Sequence, residues 1–240
     1  MSFGTPYFNR QKNNTKIFLK TLKLHNFKMQ GQKMREKLHG LYVITDDVLT
    51  PPQTLLLQVE EALRGGAQIV QLRDKVSTQE VVRKNALALQ ELCRAHDALF
   101  VLNDDVELAV ELGVDGLHVG KSDYHRIEQI RENFRGVLGV SCYGDVEFAS
   151  EMEELGVEYV AFGSFFASPT KPSSNIVALE TLRLAKERLR IPVCAIGGLH
   201  TQNIAEVLCH KPDMIALISD IWKSDFIEEK CRWYKKALEF

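Results

Sequence analysis

Five consecutive residues, Gln71-Leu72-Arg73-Asp74-Lys75, carry the densest chemistry in the chain. In an extended segment side chains alternate, so Gln71, Arg73 and Lys75 share one face and Leu72 and Asp74 the other. An amide and two cations crowded at one end of a strand are costly unless an anion meets them. Arginine offers a planar fork and lysine a mobile point charge, which suits a phosphate or diphosphate. The alternative is that Arg73 pairs with a neighbouring acid.

Two further groups carry carboxylates: Asn103-Asp104-Asp105 and Gly120-Lys121-Ser122-Asp123. Magnesium typically takes one or two carboxylates and completes its shell with water and substrate phosphate. Asp105 and Asp123 could instead cap helices, whereas Asp104 has no such ready role. Ser141 is a small hydroxyl at a strand end with no Ser/His/acid motif around it, so no nucleophile is assigned, and Cys142 reads as a structural thiol. The stretch Ser164 to Ser174 is the longest loop of the body and carries Ser168, Pro169, Thr170 and Lys171. Loops of this fold class usually run about 2–6 residues, so this one reads as a lid or ligand clamp. Gly197-Gly198 and Ile218-Ser219 offer backbone N–H groups to an oxyanion.

These residues need elements to position them. From Leu41 onward, short β-rich runs alternate with amphipathic stretches of helical period. Strands are expected at 41–45, 69–73, 99–103, 116–119, 137–141, 159–163, 193–197 and 214–219. Helices are expected at 54–64, 78–96, 106–112, 124–133, 146–155, 178–189, 201–209 and 225–238. Eight βα units in about 200 residues predict a single-domain (β/α)8 TIM barrel. A doubly wound open sheet is the competing arrangement, but the first strand ends Thr45-Asp46-Asp47 without the Gly-rich turn that such a sheet needs. In a barrel the chemistry sits at the C-terminal ends of the strands, where every group named above falls. Strands two to four then offer cations and a metal site, and strands seven and eight offer backbone donors. That layout suits two phosphorylated substrates, or one phosphorylated at both ends.

Composition narrows the classes. The chain has 240 residues, 30 Lys/Arg against 32 Asp/Glu, and a net charge of −2. Residues 1–38 hold nine Lys/Arg and one acid, a net +8, which leaves −10 on the rest. An acidic body argues against a nucleic-acid-binding core, and no apolar run approaches the ~18–20 residues that span a bilayer. The five cysteines are odd in number and have no C-x-x-C spacing. A reducing cytoplasm is therefore expected, rather than a disulfide framework. The domain reading is a basic, flexible and disordered extension over 1–38, then the catalytic barrel over 39–240. Met34, just before the first strand, is a candidate alternative start, and a targeting or membrane-surface helix is the other reading of the extension.

In order, the motifs Tyr42-Val43-Ile44-Thr45, Gln71 to Lys75, Asn103-Asp104-Asp105, Gly116 to Gly120, Gly139-Val140-Ser141, Ser168 to Lys171, Ala195 to Gly198 and Ile218-Ser219 resemble the thiamine phosphate synthase family across roughly Leu41 to Trp222. That resemblance implies a (β/α)8 barrel that joins an aminopyrimidine methyl diphosphate to a thiazole ethyl phosphate, releasing pyrophosphate. It implies that Gln71, Arg73, Lys75, Asn103 and Lys171 hold the pyrimidine diphosphate, that Ser141 contacts the pyrimidine, and that Leu72, Asp74 and Pro169 belong to the binding motifs. Arg73, Lys75, Ser141 and Lys171 would carry the catalysis. Asp104 and Asp123 would ligate Mg2+, while Ser168, Thr170, Gly198, Ile218 and Ser219 would bind the thiazole phosphate. Here Ser168 stands where many members have Thr, Lys121 stands where Gln is common, and the basic extension has no counterpart. A thiazole tautomerase or a non-catalytic thiamine-phosphate-binding barrel are the alternatives. The joint presence of Arg73, Lys75, Asp104, Asp123 and Lys171 disfavours them. The two small phosphorylated substrates are the expected partners, with no nucleic acid and no membrane. Whether the chain forms a homo-oligomer is left open.

Overall fold

The computed structural model describes residues 31–167 and 175–239. Eight short strands are rich in Val, Ile and Leu because both of their faces are buried. They are β1 (Gly40–Ile44), β2 (Ile69–Leu72), β3 (Leu99–Asn103), β4 (Gly116–Val119), β5 (Val137–Tyr143), β6 (Tyr159–Phe162), β7 (Val193–Ile196) and β8 (Met214–Leu217). All pair in parallel with their sequence neighbours, and β8 closes on β1 through Gly40–Met214 to Val43–Leu217, giving a closed barrel. The expected (β/α)8 architecture is therefore the observed one, and the competing open sheet is not.

Alternation along each strand splits the core into two shells. Leu41, Val43, Val70, Leu72 and Phe100 face outward onto the helices. Tyr42, Ile44, Ile69, Leu99, Val101 and Tyr159 fill the interior. The helices supply the matching face: in α3 (Gln79–Ala95), Ala86, Leu89 and Cys93 are buried at three- and four-residue spacing. Around the barrel run α2 (Leu55–Arg64), α4 (Val106–Leu112), α5 (Ile127–Asn133), α6 (Val146–Glu154), α7 (Glu180–Arg188), α8 (Ile204–Leu208) and α10 (Ile227–Leu238). Helix α5 is entered through a 3-10 turn over Lys121–Arg126. A short α9 (Ser219–Trp222), not anticipated from the periodicity, is fastened by the Trp222 indole N–H, which donates to the Ile44 carbonyl at 2.6 Å.

The expected boundary at residue 38 is corrected. Residues 31–36 form a helix, α1. Met34 packs against the interior core, and Leu38 is buried within it beside Tyr42 and Leu99. Arg35 pairs with Glu158 at 3.0 Å, and Lys37 pairs with Asp97. The physical reason is the open lower end of the barrel, whose inward side chains need an apolar cover. Burying a leucine there contributes about 2 kcal/mol. The rest of the extension, residues 1–30, lies outside the described residues, as do Ser168, Pro169, Thr170 and Lys171. All five cysteines are free, and burial pushes the Cys142 thiol up to about 12, so its structural reading stands. Among the described residues no helix is long and apolar enough to cross a membrane.

Candidate active site

A cavity of about 150 Å3 opens at the C-terminal ends of the strands. Its lining includes Gln71, Arg73, Asn103, Ser141 and Ile218, so five of the residues expected from the sequence converge there from β2, β3, β5 and the end of β8. Gly197, Gly163 and Ser164 complete the wall on the side of β6 and β7.

Arg73 sits one residue past β2, and its backbone is pinned on both sides by Thr45. The Thr45 hydroxyl accepts from the Arg73 N–H at 2.9 Å and donates to its carbonyl at 3.2 Å. The Arg73 guanidinium approaches Asp47 only to 3.7 Å. That acid is the neighbour the alternative reading required, but such a loose contact leaves most of the fork's donors available to a ligand. Lys75 reaches across the rim to the Asp104 carboxylate and forms an ion pair with it. Asp104 holds φ at +64°, a conformation that Asp tolerates better than most residues. Its N–H donates to the His118 carbonyl at 2.8 Å, which ties the end of β3 to β4. A non-glycine residue in this region stores about 1–3 kcal/mol and is an accepted pointer to function.

The neighbouring carboxylates divide between structure and chemistry. Asp105 caps α4 by accepting from the Leu108 N–H at 3.0 Å. Asp123 does not cap. It is buried in the 3-10 turn, accepts from the Ser122 hydroxyl at 2.7 Å and lies 3.7 Å from Arg126. Two hard oxygen donors, Asp104 and Asp123, remain after the cap is assigned, and they follow adjacent strands. Among the described residues no group of three or more His, Cys, Asp or Glu could hold a metal by itself. Magnesium needs only one or two protein carboxylates, with substrate and water completing its shell, and Asp104 and Asp123 are the carboxylates that could supply them.

Two members of the β2 motif are corrected. Leu72 is buried in the outer shell against the helices, so its side chain has no access to the cavity. Asp74 turns its carboxylate onto the Val76 and Ser77 N–H groups at 3.1 and 2.9 Å. Burial pushes its pKa up, but the hydrogen bonds from Ser77 and Val76 outweigh that and hold the group below the usual carboxylate range. It therefore shapes the loop that presents Lys75. The Gly197-Gly198 pair also has a packing reason. Both take positive φ, and a Cβ on Gly198 would lie 2.5 Å from the Ala167 carbonyl oxygen. Gly198 and Ser219 line one common hollow with His200, Lys223 and Lys230, separate from the central cavity.

Three residues that the sequence reading left without a role lie inside the barrel. Gln71 donates to the Tyr42 hydroxyl at 2.7 Å, and the Tyr42 and Tyr159 hydroxyls are 2.9 Å apart. His118 bridges Tyr159 and Ser141 at 2.9 Å on each side. Gly139 makes room for this set: a Cβ there would come within 1.9 Å of the Tyr159 ring. The available signal is period-two phase, because Tyr42 and His118 occupy inward positions between aliphatic neighbours and Tyr159 opens β6 in the same inward phase.

A family described as thiamine monophosphate synthase matches residues 41–221, which takes in every strand from Leu41 to β8 and both walls of the cavity. The thiamine-phosphate synthase of Wolinella succinogenes is 43% identical over 188 residues, covering 78% of this chain and 86% of its own. That of Thioalkalivibrio sulfidiphilus is 38% identical over 198 residues, covering 82% and 94%. The solved thiamine phosphate pyrophosphorylase of Pyrococcus furiosus superposes with a TM-score of 0.76 at 36% identity, covering 85% of this chain and 97% of that one. The chain belongs to the thiamine monophosphate synthase family.

Proposed function

We propose that the barrel is a thiamine-phosphate synthase, a transferase of thiamine biosynthesis. It would condense 4-amino-2-methyl-5-(diphosphooxymethyl)pyrimidine with thiazole ethyl phosphate to give thiamine phosphate and pyrophosphate. The observation that carries this reading is the convergence of Gln71, Arg73, Asn103 and Ser141 on one cavity beside the Lys75–Asp104 pair. Those are cationic and polar groups suited to a diphosphate and a polar ring, in an enclosure without a plausible nucleophile. The buried, high-pKa Cys142 thiol is not one.

The family resemblance implies a dissociative substitution, and an inventory without a nucleophile fits it. The bond between the pyrimidine methylene carbon and the diphosphate oxygen breaks, and its electron pair leaves with the diphosphate. The ring amino group donates electron density to the resulting cation. The thiazole nitrogen lone pair then forms the new C–N bond. Arg73, Lys75, Asn103 and Lys171 bind the diphosphate and neutralise the charge that grows on it. Ser141 and Gln71 orient the pyrimidine, so that the approach of the two rings becomes effectively unimolecular. Gly198, Ser219 and Ile218, with Ser168 and Thr170, hold the thiazole phosphate. Magnesium held by Asp104 and Asp123 would supply Lewis-acid stabilisation of the leaving diphosphate. Five free thiols, four of them buried, fit a reducing cytoplasmic setting.

The test is pyrophosphate release from the purified full chain. Release that requires both substrates and Mg2+ is expected. No release from the complete mixture would sink the reading, and release without Mg2+ would remove the metal from it.

A further inference from the structure

The interior polar set has a direction. Each tyrosine or serine hydroxyl carries one proton and can also accept, whereas an amide nitrogen only donates. Gln71 donates its amide N–H to Tyr42, so the Tyr42 proton is free for Tyr159. Tyr159 then accepts from Tyr42 and gives its own proton to the Nδ1 atom of His118. A neutral imidazole that accepts at Nδ1 carries its proton on Nε2. That nitrogen faces Ser141, so Nε2–H donates to the Ser141 oxygen. Burial pushes both phenols well above their ordinary value, and neither ionises to reverse the order. The series ends at Ser141, which lines the cavity. Its oxygen accepts from His118, and among the described residues no second partner takes its proton.

We propose that this chain of hydrogen bonds makes the Ser141 hydroxyl a one-way donor into the cavity, with Tyr42, Tyr159 and His118 as positioning residues that set its direction. The group it recognises is a ring nitrogen carrying a lone pair and no hydrogen. A ring with C–H or N–H at that point leaves the buried donor unpaired and is rejected. Naming the pyrimidine as that ring rests on the synthase reading, whereas the direction of the chain does not. A merely structural role for the three residues would leave the KM for the pyrimidine diphosphate no more affected by their loss than the KM for the thiazole phosphate.

The test uses the full chain labelled with 15N-histidine, in which the His118 signals are identified among seven histidines by their loss in His118→Gln. Multiple-bond 1H–15N spectra near neutral pH are expected to show His118 as the Nε2–H tautomer. Tyr159→Phe removes the donor to Nδ1, and a mixture of tautomers should appear. A His118 that is Nδ1–H or doubly protonated in the unaltered protein overturns the proposal. Kinetics supply the second readout. Tyr159→Phe and Tyr42→Phe should each raise the KM for the pyrimidine diphosphate roughly tenfold, the worth of one misdirected hydrogen bond, and leave the KM for the thiazole phosphate unchanged. If Tyr159→Phe does not fold, Tyr42→Phe carries this arm. Equal shifts in both KM values, or none, argue against it. Absence of turnover in the unaltered protein would fault the synthase reading instead, and the spectra would still decide the direction of the chain.

Discussion

Lys75 and Asp104, one past the end of β2 and the other just past β3, form an ion pair across the rim of the barrel. Both side chains remain partly exposed, at 43% and 34%, so each can exchange its partner for a ligand. The lysine suits the negative end of a diphosphate and the carboxylate suits a hard cation, so a metal–diphosphate pair would satisfy both at once. Asp104→Ala is therefore expected to abolish the dependence on Mg2+ and lower kcat by about a hundredfold or more. Steady-state assays across a Mg2+ titration check this, and a kcat near that of the unaltered protein would refute the metal assignment.

Arg73 presents a planar fork whose backbone is fixed by two hydrogen bonds to Thr45. Lysine keeps the charge but loses the bidentate geometry. Arg73→Lys should lower kcat/KM for the pyrimidine diphosphate by about 10- to 100-fold, the range of one to two charge-assisted hydrogen bonds. Thr45→Val should give a smaller loss in the same direction, because it frees the backbone that aims the fork. Competition assays with inorganic pyrophosphate would show both variants binding it more weakly.

The fold was legible because barrel strands buried on both faces announce themselves as aliphatic runs, and Val106–Leu112 and Gly116–Val119 match the expected spans at both ends. The cavity was legible in part, because residues at strand ends are readable once the strands are. What a sequence does not hold is which of two adjacent groups turns which way. Asp105 caps while Asp104 faces Lys75, a choice made by the positive φ of Asp104. Tyr42 and Tyr159 meet although they are 117 residues apart in sequence, which only closure of the barrel accomplishes. The basic composition of residues 31–38 predicts a disordered segment. The structure buries Leu38 because of the hole it covers.

Asp74 contributes stability with a defined pH signature. Its hydrogen bonds from Ser77 and Val76 lower its folded pKa below the ordinary 3.8. A depressed carboxylate stabilises the fold above its unfolded pKa and loses that contribution as pH falls through the folded value. Asp74→Ala should destabilise the protein by about 1 kcal/mol near neutral pH, as loss of a capping acceptor does. The gap between the variant and the unaltered protein should close as pH drops below the ordinary carboxylate range. Denaturation midpoints at several pH values measure this. A gap that is constant with pH would show that the charged form is not what the loop uses.

Within the basic extension, Met34 and Leu38 close the lower end of the barrel. A chain beginning at Gly31 keeps α1, Met34 and Leu38, and should retain both its thermal midpoint and its kcat/KM. Leu38→Ala opens a void beneath Tyr42 and Leu99, in a site where the surrounding strands cannot collapse inward. A loss of about 2–4 kcal/mol is expected in urea denaturation, as for other buried leucines. The same void lies on the far side of Tyr42 from the cavity, so binding should weaken less than stability does. A chain beginning at Met34 loses the first three described residues of α1 and tests an intermediate case, in which stability falls slightly and activity persists. If the chain from Gly31 lost most of its activity while keeping its thermal midpoint, residues 1–30 would have to contribute to the active site directly.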